Sequence, residues 1–261
     1  MKREDAVTPD AWAHLRDTTP ARIALGRTGA SLPTAEVLRF ALAHAQARDA
    51  VHTPFDAAGV ADALRALGHE VLAVESAAPD RATYLRRPDL GRILSPGGRR
   101  ALAYVPATQP DLALVVADGL SATAVHRQAA PLLAALAPWI SREGWRVAPV
   151  VVATQARVAL GDEVGQMLGA RAVAMLIGER PGLSAPDSLG VYLTLAPRPG
   201  RLDAERNCLS NIRDGGLGPE LAAFKLAWLL REAFRRQVTG VALKDESDRL
   251  LVDGRAPAQL A

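Results

Sequence analysis

A chain of 261 residues, 49% hydrophobic and 23% charged, has the balance of a soluble globular protein of one to two domains that can bury a sizeable core. Its 51 alanines against 4% aromatics favour closely packed helices over large aromatic clusters, and a single cysteine with five scattered histidines excludes a disulfide framework or a Cys-rich zinc site. The pI of about 9.4 conceals a net charge of only +3, and 28 arginines and three lysines among 28 acids suit solvated or salt-bridged surfaces better than a polyanion track.

The N-terminal stretch carries charges of both signs and no apolar core, so it does not read as a secretory signal. No run approaches the ~18–20 apolar residues of a membrane span. The nearest candidate, residues 128–141, is short, contains Pro131 and Pro138, and reads as a buried amphipathic helix. A cytoplasmic location is the expectation.

In chain order, PTAEVLRFALAHAQARDAV places Val37, Leu38, Ala41, Leu42 and Ala45 at helical spacing, with Thr34 near the start. A second helix is predicted over residues 60–67, ending at Gly68, and EVLAVES alternates like a short strand. The segment YLRRPDLGRILSPGGRR is heavily punctuated, and the Pro-rich stretch 104–111 reads as a joint. The predicted organisation is therefore a mainly helical region over 1–105 and an α/β domain over 106–261.

From Asp111 onward, short β-branched runs alternate with helices. DLALVVADG precedes a helix over 122–143, VAPVVVA a helix over 161–168, and AVAMLIG and GVYLTLA lead to the amphipathic helix PELAAFKLAWLLREAFRRQ. This grammar predicts a Rossmann-like, mostly parallel sheet flanked by helices. Ligands of such sheets bind at the carboxyl ends of the strands, which directs attention to ADGLS, ATQARV and GERPGL.

No G-x-G-x-x-G follows a strand, and neither a G-x-x-x-x-G-K-[ST] loop nor a G-x-S-x-G elbow is present. Asp118, Gly119 and Ser121 read equally as ligand groups or as a turn in which Ser121 caps a helix. Gly161, Gly165 and Gly169 line one helix face, suited to tight packing or, less simply, to a flat ligand. Glu179 and Arg180 could form a salt-bridged turn or a site. Cys208 could be a nucleophile, but no histidine follows position 126, so a small buried thiol is the simpler reading. A chain without an acid–base dyad, metal cluster or activated nucleophile suits chemistry carried by a cofactor or another subunit.

Several stretches together resemble one family. ARIALGRTG, LPTAEVLRFALAHAQARDAV, YLRRPDLGR, VVADGLSATAV, ARVALGDEVGQMLGA, LIGERPGLSAPDSLGVYL and DAERNCLSNIRDGGL follow, in order, the pattern of the ethanolamine ammonia-lyase small (light) subunit, over about residues 20–240. The resemblance implies a two-subunit enzyme that uses adenosylcobalamin to convert ethanolamine to acetaldehyde and ammonia by a radical route. It implies a large TIM-barrel partner that holds the substrate, with the cofactor between the two chains. The family's cobalamin contacts fall on Val158 in ARVALGD, Glu179 in GERPGL and Cys208 in ERNCLSN. No catalytic residue and no protein-held metal is expected in this chain.

None of His14, His44, His52, His69 and His126 has an aspartate two residues before it, so the D-x-H-x-x-G pattern that replaces the cofactor's lower base is missing. The resemblance likewise implies that the cofactor keeps its dimethylbenzimidazole. It also implies association with a bacterial microcompartment, although the stretch before the match is short. The stretch 244–261 lies beyond the resemblance. A stand-alone α/β nucleotide-binding enzyme and a non-catalytic interaction module are the competing readings. Nucleic acid is a weaker partner, because the arginines lie among acids and aromatics are sparse.

Overall fold

The computed structural model describes residues 7–106 and 108–250. Residue 107, within the predicted joint, and residues 251–261 of the tail lie outside the described residues. The main elements are α1 (Thr34–His52), α2 (Ala57–Ala66), β1 (Val71–Glu75), α3 (Arg81–Arg86), α4 (Pro96–Ala103), β2 (Leu112–Ala117), α5 (Ala122–Glu143), β3 (Val150–Thr154), α6 (Leu160–Met167), β4 (Ala172–Gly178), β5 (Leu189–Leu195), β6 (Asn207–Ile212) and α7 (Pro219–Arg236).

These elements form an α/β fold around one six-stranded sheet of order β1-β3-β2-β4-β5-β6. β1, from the stretch read as mainly helical, forms one edge of the sheet beside β3. The sheet is mixed rather than mostly parallel. β1, β3, β2 and β4 are mutually parallel, whereas β5 runs antiparallel to both β4 and β6. The difference has a local cause. Residues 179–188 join β4 to β5 without a helix, and a parallel return needs a long crossover that this connection does not provide.

The apolar runs arise because both faces of the sheet are covered. Leu112, Leu114 and Val116 of β2 pack with α5 and α7 on one face, while Ala113, Val115 and Ala117 pack with α6 and Leu102 of α4 on the other. Every residue of β2 and β4 is buried, as expected of a strand enclosed on both sides. α5 runs unbroken through Pro131 and Pro138 and ends at Gly144, whose φ of 65° supplies a left-handed cap. α1 packs far less: only Ala43 and Ala50 are buried, and Val37, Leu38, Phe40 and Leu42 are exposed.

The glycines of α6 serve packing. A Cβ on Gly165 would lie 2.5 Å from Pro197 Cγ and 3.1 Å from Val173 Cβ, and one on Gly161 would press on Met175. Gly169, at φ +64°, instead ends the helix in a left-handed conformation.

Gly165→Ala therefore sets two effects against each other. Alanine is about 1 kcal/mol better in a helix, but overpacking typically costs about 1–3 kcal/mol, and the neighbours here are a proline ring and a strand. The expected outcome is net destabilisation, read as a lower urea midpoint at unchanged slope. A raised midpoint would show that α6 has room to move off the sheet.

Candidate functional site

At the carboxyl ends of β2, β3 and β4, three loops converge on a cavity of about 460 Å³ lined in part by Gly119, Arg157, Val158, Glu179 and Tyr192. The approach depends on two glycines. A Cβ on Gly119, which sits at φ +55°, would fall 2.2 Å from the Gly178 carbonyl oxygen, and one on Gly178 would fall 2.1 Å from that of Ser121. With both side chains absent, Leu120 N–H donates to the Gly178 carbonyl at 2.9 Å. Ser121 accepts from Ala124 N–H at 3.2 Å and donates to the Pro186 carbonyl at 2.8 Å, so it caps α5 and tethers the loop before β5.

Asp118 is 1% exposed and organises this floor. Its Oδ1 accepts from Gly119 N–H at 3.0 Å and Ala156 N–H at 3.1 Å, joining the loops after β2 and β3. Arg81 Nη1 donates to Asp118 Oδ2 at 3.2 Å and to the Gly119 carbonyl at 2.8 Å, while its Nε reaches the Val51 carbonyl of α1 at 2.9 Å. Burial pushes the Asp118 carboxyl up to about 6, against the opposing pull of the Ala156 N–H and the Arg81 charge. Tyr84 lies between two guanidinium groups, Arg157 at 4.3 Å and Arg81 at 4.8 Å from its ring centre. Its hydroxyl donates to the Ala156 carbonyl at 3.1 Å, and burial raises its pKa.

Glu179 and Arg180 do not form a salt-bridged turn. Glu179 accepts from Ser188 Oγ at 2.5 Å, Ser210 Oγ at 2.5 Å and Asn211 N–H at 3.2 Å, which fastens the end of β4 to β6. Arg180 is exposed at the cavity and has no hydrogen bond or ion pair among the described residues. Two local features make room for Glu179. A Cβ on Gly190 would press to 2.9 Å from Glu179 Oε1, and a bulge in β6, with Asn211 at φ 61°, turns the Asn211 N–H toward the carboxylate.

Val158 is half-buried and lines the cavity with Glu179. Cys208 is exposed on β6, opposite Tyr192 in the antiparallel register, so it is not a buried core thiol. Tyr192 lines the cavity and faces Cys208 across the β5–β6 ladder. Crowding of the thiol by protein and the nearby Glu179 charge raise its pKa, against the opposing influence of the neighbouring Tyr192 hydroxyl, so the thiol stays protonated at neutral pH. The structure thus brings Val158 and Glu179 to one cavity and Cys208 to the adjoining wall. Tyr84, Arg81, Arg157, Tyr192, Ser188 and Ser210 were not singled out by sequence. Only Arg157, inside a strand-end loop, carried a positional signal.

Among the described residues, no three His, Cys, Asp or Glu side chains gather as a metal site, and no helix is long and apolar enough to cross a membrane. Fold and crevice define an α/β chain with a cavity at its strand ends: its thiol is held protonated, and its two central carboxylates are engaged by hydrogen bonds. The sequence matches the family model for the ethanolamine ammonia-lyase light chain over residues 9–244. It is 58% identical to the ethanolamine ammonia-lyase small subunit of Xanthomonas campestris pv. campestris, covering 97% of this chain and 94% of that protein. The small subunits of Ralstonia nicotianae and Azotobacter vinelandii are 57% and 55% identical, over 95% and 97% of this chain and 93% and 95% of theirs. The chain belongs to the ethanolamine ammonia-lyase light-chain family.

The Asp118 carboxyl gives a pH signature. Its folded pKa, raised to about 6 from the ordinary 3.8, means that the folded state binds a proton the unfolded state has released. Its contribution to stability is therefore fully present below about pH 4 and is lost as pH rises through about 6, by up to ~3 kcal/mol. Asp118→Asn should remove that slope from urea-unfolding free energies between pH 4 and 6.5. A slope unchanged by the substitution would assign it to other groups.

Proposed function

We propose that this chain acts as the small subunit of an adenosylcobalamin-dependent ethanolamine ammonia-lyase, closing the cofactor against a large TIM-barrel subunit that carries the substrate pocket. The parallel part of the sheet, β1 to β4, serves as a Rossmann-like platform, and the antiparallel β5–β6 pair extends it as a wall. The observation that carries the reading is the gathering of Val158, Glu179 and Tyr192 on one cavity, with Cys208 opposite Tyr192 on the neighbouring strand. Family resemblance selected Val158, Glu179 and Cys208 one by one, without reference to their arrangement in space.

The donor set fits a corrinoid, an apolar ring fringed with amides. Val158 and Tyr192 offer apolar surface to the ring. Glu179 uses three of its ~four lone-pair sites within the protein. One acceptor site remains for an amide N–H or a hydroxyl. Arg180, exposed at the cavity with no ion pair among the described residues, leaves guanidinium donors for amide carbonyls.

When bound, adenosylcobalamin supplies the radical chemistry. This chain holds the ring, fixes its orientation and excludes water from one side. None of its histidines lines this cavity, so this chain would offer no imidazole in place of the cofactor's own base. Glu179 acts as an anchor for amides, Tyr192 as a surface, and Cys208 as a packed thiol with no covalent role.

Two substitutions test these assignments in the two-subunit complex. Glu179→Gln should weaken cyanocobalamin binding about five- to tenfold, because one lost hydrogen bond to a charged group is worth ~1.5 kcal/mol or less at a partly open site. An unchanged dissociation constant, measured by absorbance titration, would remove Glu179 from the cofactor contacts. Cys208→Ser should retain at least about a third of wild-type turnover with ethanolamine, since hydroxyl and thiol differ by only a small packing change. Abolished turnover in a folded, cofactor-loaded complex would give the thiol a chemical role.

A further inference from the structure

Beside the crevice lies a second hollow of about 300 Å³, and its lining is strongly cationic. Arg92, Arg157, Arg201 and Arg206 face it, against one acid, Asp203. The two cavities share a wall, because Arg157 and Val158 line both. Resting on the function proposed above, we infer that this hollow binds the phosphodiester of the cofactor's nucleotide loop, with Arg92 and Arg157 as the anion-binding groups.

The charge balance singles out those two arginines. Arg206, 2% exposed, makes a bidentate ion pair with Asp162 at 2.5 and 2.7 Å, and Arg201 pairs with Glu205. Arg92 is exposed, and its guanidinium has no hydrogen bond or ion pair among the described residues. Arg157 has no carboxylate partner: its Nη2 reaches only the Tyr84 carbonyl, at 3.4 Å, and its Nε is buried and unpaired. Arg206 Nε is also buried without a hydrogen bond, since Asp203, almost fully exposed, stands 3.6 Å away. Arg92 and Arg157 therefore bring two guanidinium groups without carboxylate partners to one hollow, a lining that favours an anion.

The form of the anion follows from the donors. Planar guanidinium groups match phosphate oxygens in paired, charge-assisted hydrogen bonds, and arginine keeps its charge at every working pH. A phosphodiester carries a fixed single negative charge, and cobalamin has one on the tether to its lower base. Because Arg157 and Val158 line both cavities, a corrinoid packed on Val158 would present its nucleotide tether to a neighbouring hollow lined by these arginines.

The test compares two corrinoids on the purified two-subunit complex: cyanocobalamin, which has the nucleotide loop, and dicyanocobinamide, which lacks it. Binding is read by absorbance titration, independently of turnover. Arg92→Ala should weaken cyanocobalamin binding roughly tenfold, leave cobinamide binding within about twofold, and be partly rescued by Arg92→Lys. Millimolar inorganic phosphate should compete with cyanocobalamin in the wild type and lose that effect in Arg92→Ala. Equal weakening of both corrinoids would overturn the inference by assigning Arg92 to the fold or to a carboxylate of the partner subunit. Phosphate binding that depends on Arg92 while cyanocobalamin affinity does not would overturn it in favour of a free anion. A wild-type complex that binds neither corrinoid would remove the proposed function itself, whereas cobinamide and cyanocobalamin binding that both ignore Arg92 would remove only the phosphate site.

Discussion

The crossing of two backbones at Gly119 and Gly178 governs the shape of the crevice. Atoms that a single methyl group would occupy lie 2.1–2.2 Å from carbonyl oxygens on the opposing loop. Side chains on either strand end would hold the loops after β2 and β4 apart, and the Leu120–Gly178 hydrogen bond would be lost. With the loops in contact, Asp118 can turn back into the protein and collect N–H groups from two different strand ends. Glu179, one residue beyond Gly178, then starts from a fixed point and reaches β6.

Two buried carboxylates, Asp118 and Asp162, are balanced differently. Asp118 is met by one arginine and two amides, and burial still dominates its titration. Asp162 and Arg206 form a close bidentate pair that joins α6 to the beginning of β6, with Thr194 Oγ1 and the Arg201 carbonyl taking further guanidinium N–H groups. Removing one member of such a pair costs about 3–5 kcal/mol, because the survivor is left charged and dry. The antiparallel side of the sheet thus adds polar tethers, namely this pair and the Glu179 serines, to its apolar burial under α7. The parallel side is held by apolar burial on both faces.

That contrast explains what could be read in the sequence. β2, β3 and β4 announce themselves because residues of both parities are buried, giving unbroken apolar runs. α5 was legible in spite of its two prolines, since its apolar face repeats at helical spacing and a glycine closes it. β6 was not legible: only Leu209 and Ile212 turn inward along it, and its remaining residues are polar. Strand direction was lost for β5 because an antiparallel strand covered on both faces has the same composition as a parallel one. In the site, the strand-end rule led to the loops of Val158 and Glu179, but resemblance was needed to choose the residues. Arg81 and Tyr84 come from α3, and only the tertiary fold carries the one to the Asp118 carboxylate and the other to the Ala156 carbonyl.

The preference for arginine over lysine has an effect on the alkaline side of the pH range. Among the described residues, arginine supplies the cation in every ion pair except those of Lys225 with Asp245 and Asp248. Guanidinium groups do not release their protons in that range, and the Tyr84, Tyr192 and Cys208 protons are all held more tightly than usual. From neutrality upward, the walls of the crevice thus keep a constant charge through several units of pH. Any loss of ligand affinity in mild base must then originate in the ligand or in the opposing subunit.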